Sequence, residues 1–591
     1  MSLIPLTTSR SRRLLGMLLA LTLAVTGASL ALTGGPARAA DAPVVQKLRF
    51  TASDGTSLAA TLTGLGSIAP RPTVVEFSPY GPDSASLPVS ADYNYLVVQL
   101  RGTGDSDGEF DALGPRMQDD VAQALGWACA QPWSNGSLAL AGFSASAIII
   151  YNSLHEALPC VKAAVLKSGT FELYRDLLMP GGISNTAPGL GVLALIGAPA
   201  LEQGPARLQR NPASALGVLA GLFTAGVNGG LLHPNLDSWW AERGFRGDVN
   251  KIPTLVIDGF YDVESRGAFQ GYQYLRDEGA DTHLLVVGGH DGAPAGTDDG
   301  VAEAGQWLDH YVRGVSNGVE AHPKVQLMLA DGDREDMRDG DYVPFSATDW
   351  PVPGTTWSDL HLDPARSGSA LSLNDGSLSL ATPSRTATQV YPATPSLPTN
   401  TDSPTTALLG AAGADALFKA LPVLTDMNLA ESIGLTFSTK PLSHDVLAAG
   451  PLDLDVPLST TTPGAPIWAV LSDVSPDGQS HPLTVGRLST DYPDVISAKS
   501  LFSGTTMVQP YGDFSARRSP LPLQTRTYHV ELWPVGNRFA AGHRIRLELV
   551  GASAFSLLAL PGVNAVRVGG PGGAVLRFPT LPGSDLSAAL G

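Results

Sequence analysis

From Val74 to about Val315 the chain alternates short, continuous apolar runs with stretches of helical periodicity, and nothing else in it constrains the fold as strongly. "TVVEF", "YLVVQL", "LALAGF", "KAAVLKSG", "PTLVIDG" and "HLLVVGG" have strand length. Between them, "RMQDDVAQALGWACA" carries Met117, Val121, Leu125 and Cys129 at four-residue spacing, one face of a helix. "AIIIYNSLHEAL", "GAFQGYQYLRDEG" and "VAEAGQWLDHYVRGV" read as further helices. Strands apolar on both faces and separated by helices imply a parallel sheet in an α/β fold.

The alternation is interrupted from about Phe171 to Asn250 by Ala-, Gly-, Leu- and Pro-rich sequence that reads as several short helices. Inserted between two sheet strands, such a segment is expected to cap the mouth of the site, because ligands sit at strand ends in α/β sheets. Beyond about His322 helical periodicity stops, and Pro, Gly, Ser and Thr punctuate short segments. "HRIRLELV" alternates through Ile545, Leu547 and Leu549, "PLDLDVPL" through Leu452, Leu454 and Val456, and "SPDG" at Ser475 to Gly478 reads as a turn. An all-β sandwich, of jelly-roll type, is expected there, with a long surface loop from about Pro383 to Ala416. The expected domains are a catalytic α/β unit at 43–321 and a β-sandwich at 322–591, two cores being the norm for 591 residues.

Residues 1–39 read as an export signal of the general secretory or twin-arginine kind. Arg10, Arg12 and Arg13 precede an apolar stretch from Leu14 to Leu32, then the small-x-small site Ala37-Arg38-Ala39. An uncleaved anchor is the competing reading. The formal net charge is -18 and the mature chain has no Lys/Arg-rich run, which argues against nucleic acid as a partner. No later segment reads as a membrane span, so no membrane partner is expected after cleavage. Of the two cysteines, Cys129 and Cys160, export permits a disulfide, while two buried thiols fit equally well. Neither has metal-ligand spacing, and with no G-x-G-x-x-G opening a βαβ unit and no P-loop, no metal or cofactor is expected.

The chemistry lies at three strand ends. Ser144 follows the strand "LALAGF" and opens a helix, Asp262 stands just past "TLVIDG", and His290 follows "LLVVGG". That order of nucleophile, acid and base, each at the carboxyl end of a parallel strand, suits an acyl-transfer triad. Asp258 is the rival acid but sits nearer its strand, as buried structure would; His283 opens a strand and reads as packing. The developing oxyanion needs donors. One is the Ala145 backbone N–H, and the loop "FSPYGPD" offers Tyr80 as the second, since Pro79 has no N–H.

With these residues in place the chain resembles the family of cocaine esterase-like acyl esterases and X-prolyl dipeptidyl peptidases. The resemblance runs through "SPYG", "QLRGTGDSDGEF", "WACAQPWSNGSLALAGFSAS", "KSGTFELYRDLLMPGG", "DGFYD", "VVGGHDG", "WPVPGT", "LTFSTKPLSHDVLAAGPLDLDV" and "ELWPVGNRFAAGHRIRLEL", nearly all of the mature chain. It implies Ser144 as nucleophile, Asp262 as acid, His290 as base and the Tyr80 hydroxyl as oxyanion donor. It also implies three parts: an α/β-hydrolase domain, a helical cap and a C-terminal jelly roll. The elbow departs from the family's G-x-S-Y-x-G, reading Gly142-Phe143-Ser144-Ala145-Ser146-Ala147. Small residues beside a strained nucleophile keep its geometry, so the departure bears on the choice of ester or peptide substrate. The competing expectation is a non-catalytic protein that recognises glycan through its β-sandwich.

Overall fold

A computed structural model of the chain describes residues 42–395 and 426–591, apart from 213–216, 219, 222, 225–227, 291, 554, 555 and 557; the side chains of 187, 188, 230 and 231 are likewise not described. The expected export signal at 1–39 and the stretch 396–416 of the expected surface loop lie outside the described residues.

Ten strands build the first sheet: β1 (Pro43–Thr51), β2 (Ser57–Leu65), β3 (Arg71–Ser78), β4 (Asn94–Gln99), β5 (Ser134–Phe143), β6 (Val161–Lys167), β7 (Thr254–Asp258), β8 (Thr282–Val286), β9 (Val325–Asp331) and β10 (Tyr342–Ala347). Their spatial order is β1-β2-β4-β3-β5-β6-β7-β8-β9-β10, parallel from β4 to β9 and antiparallel at both ends. This is the α/β-hydrolase-like arrangement, with the parallel part where apolar runs alternate with helices. The antiparallel hairpin β1–β2 precedes the alternating region. β1 is the exposed edge, and β2, paired with β1 and β4, carries alternating Thr among its apolar residues rather than the continuous apolar run that marks the central strands.

Four helices cover the sheet: α1 (Pro115–Cys129), α2 (Ala145–Ser153), α5 (Ser265–Asp277) and α6 (Val301–Arg313), with α3 (Thr186–Glu202) and α4 (Gly204–Arg210) in the insert between β6 and β7. Alternate strand residues feed two cores. Val74, Val97, Ala139, Val165 and Ile257 pack with Trp307 and Leu308 of α6 on one face. Val75, Val98, Leu140, Leu166 and Val256 pack with Met117, Val121 and Ile149 on the other. Cys129, at the end of α1, is disulfide-bonded to Cys160, just before β6, with their Cα atoms 6.2 Å apart. Of the two readings the cysteines left open, the structure takes the disulfide.

Beyond the expected boundary at His322, β9 and β10 continue the sheet as far as Ala347. Their sequence alternates, which resembles the region that follows. Beyond Ala347 the chain is almost entirely antiparallel β-structure. "SPDG" closes the hairpin between Pro466–Val474 and Ser480–Ser489, as its residues predict. The expected loop from Pro383 is corrected at its start, since Ala387–Ala393 pairs with Gly562–Val568 despite the Pro and Thr around it. The two β-rich stretches read as alternating are buried on both faces instead, as in Arg544–Val550. The halves are joined by a parallel pairing of Ala330 and Asp331 with Asn537 and Arg538.

Candidate active site

β5 ends at Phe143 and α2 begins at Ala145, leaving Ser144 alone to reverse the chain at φ 55°, ψ -126°. A non-glycine residue at positive φ costs about 1–3 kcal/mol and persists only where its surroundings enforce it. Here the Ser144 N–H donates to the Lys167 carbonyl (3.0 Å), and its own carbonyl accepts from Ala147 (2.8 Å) and Ile148 (3.0 Å). Gly142 makes the turn tight enough: a Cβ there would stand 2.6 Å from Ala147 N and Ser146 C. Ser146, at the place of the missing second glycine, is accommodated fully buried.

The loop after β3 brings Tyr80 to Ser144. The Ala145 N–H donates to the Tyr80 hydroxyl at 3.1 Å, so the two expected oxyanion donors stand side by side next to Ser144. The loop is pinned from below. The Tyr80 N–H donates to Ser78 Oγ (3.1 Å), Ser84 Oγ lies 2.6 Å from the same atom, and Ser86 N–H donates to Glu76 Oε2 (2.7 Å). Burial, aided by the charges of Glu264 and Glu76, pushes the Tyr80 phenol up to about 12 against the opposing effect of Ser144 and Ala145. It is therefore a neutral O–H donor throughout the neutral range.

Asp262 and His290 meet from the loops after β7 and β8. His290 Nδ1 lies 3.0 Å from each Asp262 carboxylate oxygen, and the His290 backbone N–H donates to Oδ2 at 2.6 Å. Glu264 N–H holds Oδ1 at 2.9 Å. The approach requires Gly289, where a Cβ would lie 1.7 Å from Asp262 Oδ2. Burial opposes ionisation of Asp262, but the His290 charge and hydrogen bond, with the two backbone N–H groups, hold its carboxyl down at about 2. Burial lowers His290, yet Asp262 outweighs it and raises the imidazole above its ordinary value. With Nδ1–H committed to a carboxylate, Nε2 is left as the proton acceptor. The His290 ring packs on Phe143, the residue before Ser144, with centroids 4.7 Å apart.

The rival readings also resolve. Asp258 is fully buried and raised well above an ordinary carboxyl by burial and the Asp262 charge, so it is a poor partner for an imidazolium. His283 is buried against Trp307. Three groups went unnoticed in the sequence. Lys167, at the end of β6, pairs with Asp299 and lies 5.7 Å from the Phe143 ring; burial lowers its amine to about 8. Glu264 is fully buried beside the triad and is raised to about 8 by burial and by Asp262 and Asp176. Arg266, also fully buried, bridges Asp176 (2.7 Å) to Glu531 of the C-terminal half (2.9 Å). Only position could have flagged them, since each follows a strand end or a triad member.

An α/β-hydrolase sheet presenting a serine on a strained turn, a histidine oriented by a carboxylate, and a backbone N–H and a tyrosine hydroxyl beside the serine is the layout of a serine hydrolase. The comparisons with known proteins agree. The family model of X-Pro dipeptidyl-peptidase (S15 family) matches residues 54–291, and that of the X-Pro dipeptidyl-peptidase C-terminal non-catalytic domain matches 317–556. A Mycobacterium bovis protein named as a candidate serine esterase is 23% identical over 556 residues, covering 81% of this chain and 82% of its own. Two solved structures share the fold. A CocE/NonD family hydrolase from Staphylococcus aureus has TM-score 0.71 at 17% identity, covering 91% of this chain and 94% of its own. An α-amino acid ester hydrolase has TM-score 0.66 at 16% identity, covering 94% and 100%. The chain belongs to the cocaine esterase-like and X-prolyl dipeptidyl peptidase family of serine hydrolases.

Proposed function

We propose that the chain is an exported esterase that works through an acyl-enzyme on Ser144. His290 Nε2 takes the Ser144 proton as Oγ attacks the substrate carbonyl. The Ala145 N–H and Tyr80 O–H then hold the tetrahedral oxyanion, and Asp262 holds the imidazolium. Collapse expels the alcohol, which receives the proton from His290, and water repeats the cycle to release the acid. The placing of the Ala145 N–H and the Tyr80 hydroxyl side by side at Ser144, 3.1 Å apart, carries this reading. It also disfavours a non-catalytic glycan-binding role for the chain as a whole. We read the insert α3–α4 as a cap, since a Cβ at Gly81 in the oxyanion loop would meet Pro199 of α3 at 3.8 Å. We read the region after Ala347 as a jelly roll.

Esters are favoured over X-Pro peptides by the state of the carboxylates. A dipeptidyl peptidase must hold an α-ammonium near the nucleophile. Of the acidic residues in the insert, Glu172 is taken up by Arg175 and Tyr511, Glu202, Glu242 and Asp248 are exposed, and Asp237 caps a short helix at Trp239 and binds His233. Asp176 is neutralised by Arg266, and Glu264, at about 8, is mostly protonated at neutral pH. The second reading, amine recognition, rests on Glu264, which an incoming ammonium could ionise. Parallel assay of short-chain nitrophenyl esters and an X-Pro-anilide tests the choice. Ester turnover with little anilide cleavage is expected; faster anilide cleavage would overturn it.

A further inference from the structure

A central strand of a parallel sheet is buried on both faces and ordinarily apolar throughout. β3 departs from this at its carboxyl end, where Glu76 and Ser78, two residues apart and so on one face, are both buried. Val74, the next residue along that face, belongs to the apolar core under α6. Burying a carboxyl there is costly unless hydrogen bonds offset it. Burial pushes Glu76 above the ordinary carboxylate range, against the pull of Tyr95 and Ser86. Among the described residues no ion pair reaches it, and its partners are the Tyr95 O–H of β4 (2.7 Å) and the Ser86 N–H (2.7 Å). The Tyr95 hydroxyl in turn accepts from the N–H groups of Ser86 (3.2 Å) and Leu87 (3.4 Å). At the start of the loop, Ser78 Oγ takes the Tyr80 N–H at 3.1 Å and lies 2.6 Å from Ser84 Oγ. Among the described residues, 79–89 make no backbone–backbone hydrogen bond, so side chains of the strands below hold this loop.

We propose that Glu76 is a positioning residue for the reaction. With Tyr95 it fixes the far end of the oxyanion loop, and Ser78 fixes the near end, so that the Tyr80 hydroxyl between them stays beside the Ala145 N–H. The inference rests on the reading of Tyr80 as an oxyanion donor. Such a donor stabilises the transition state only if it already stands where the charge develops, with no reorganisation left to make. A loop without backbone pairing opens at little cost, so the place of Tyr80 depends on the pins at its two ends. An aliphatic residue, as at Val74, would serve the packing of β3 alone, and the carboxyl answers to the loop it holds. Glu76 touches neither Ser144 nor His290 through any hydrogen bond, and acts through Tyr80.

The test is a double-mutant cycle on the full chain, with Glu76→Leu and Tyr80→Phe made singly and together. Steady-state kinetics on a soluble nitrophenyl ester are read per folded chain, the folded fraction coming from circular dichroism. Glu76→Leu should lower kcat by about 10- to 10²-fold with KM little changed, the scale of a displaced catalytic group. In the Tyr80→Phe background the same substitution should cost less than about twofold, because the hydroxyl it places is already gone. Glu76→Gln keeps an acceptor oxygen for Ser86 and should restore most of kcat. Where Glu76→Leu does not fold, Tyr95→Phe, which removes the hydroxyl under Ser86 and Leu87, enters the same cycle with a loss of the same kind. Three results would overturn the proposal: a single variant with wild-type kcat; a loss that adds in full to that of Tyr80→Phe, meaning an effect on the fold at large; or Glu76→Gln as slow as Glu76→Leu. A Tyr80→Phe chain as fast as the wild type would overturn the oxyanion reading itself, and the proposal with it. A slow Tyr80→Phe beside a fast Glu76→Leu overturns the proposal alone.

Discussion

His290 Nδ1 stands 3.0 Å from both carboxylate oxygens of Asp262, while the backbone N–H of the same histidine donates to Oδ2 at 2.6 Å. The imidazole is thus tied to the carboxylate by side chain and main chain together. Because Asp262 raises the imidazole above its ordinary value, activity should fall as pH drops through a pKa above the ordinary 6.5. Asp262→Asn should lower kcat by about 10³- to 10⁴-fold and move the acid limb of kcat/KM downward. A pH–rate profile of both forms checks it; an unmoved limb would contradict the pairing.

Tyr80→Phe removes one of the two oxyanion donors and leaves the Ala145 N–H. A loss of about 10²- to 10³-fold in kcat with KM little changed is expected. Steady-state kinetics on a nitrophenyl ester measure it, and a change confined to KM would mean that Tyr80 only binds substrate.

Glu264 gives a stability signature of definite sign. Its folded pKa, about 8, lies above the ordinary 4.5, so its contribution is full below 4.5 and lost as pH rises toward 8. Glu264→Gln cannot ionise and should therefore gain thermal stability relative to the wild type as pH rises through that window. Melting curves at pH 5 and about 8 decide it. Equal differences at both would show that the carboxyl is not held protonated.

Arg266 is the shared partner of Asp176 and Glu531, and Glu172 lies 3.6 Å away. Arg266→Met leaves the buried Asp176 without its cation and removes the charge shared with Glu172 and Glu531 across the junction of the two halves. Destabilisation of about 3–5 kcal/mol is expected from denaturant unfolding. A near-neutral effect would mean that the carboxyls take up protons instead.

The candidate site is legible in the sequence because an acyl-transfer set at strand ends obeys a chain order. Ser144, Asp262 and His290 follow β5, β7 and β8, and the apolar runs that mark those strands are strong signals. The hairpin β1–β2 and the strands β9 and β10 are harder to assign, because the outer strands β1 and β10 are only partly buried and the alternating pattern of β9 and β10 resembles a β-sandwich. Ala387–Ala393 was hidden for a related reason: its proline and threonines look like a loop until Gly562–Val568 supplies the ladder. Glu264 and Lys167 could not be read at all, since their roles depend on burial and on charges from distant loops.

The central claim is that Ser144 is the nucleophile held by this framework. Intact-protein mass spectrometry after exposure to a fluorophosphonate tests it most directly. The account predicts one adduct on the folded wild type, mapped to Ser144, and none on Ser144→Ala. A folded wild type that stays unlabelled, or a Ser144→Ala chain that still labels, would contradict it.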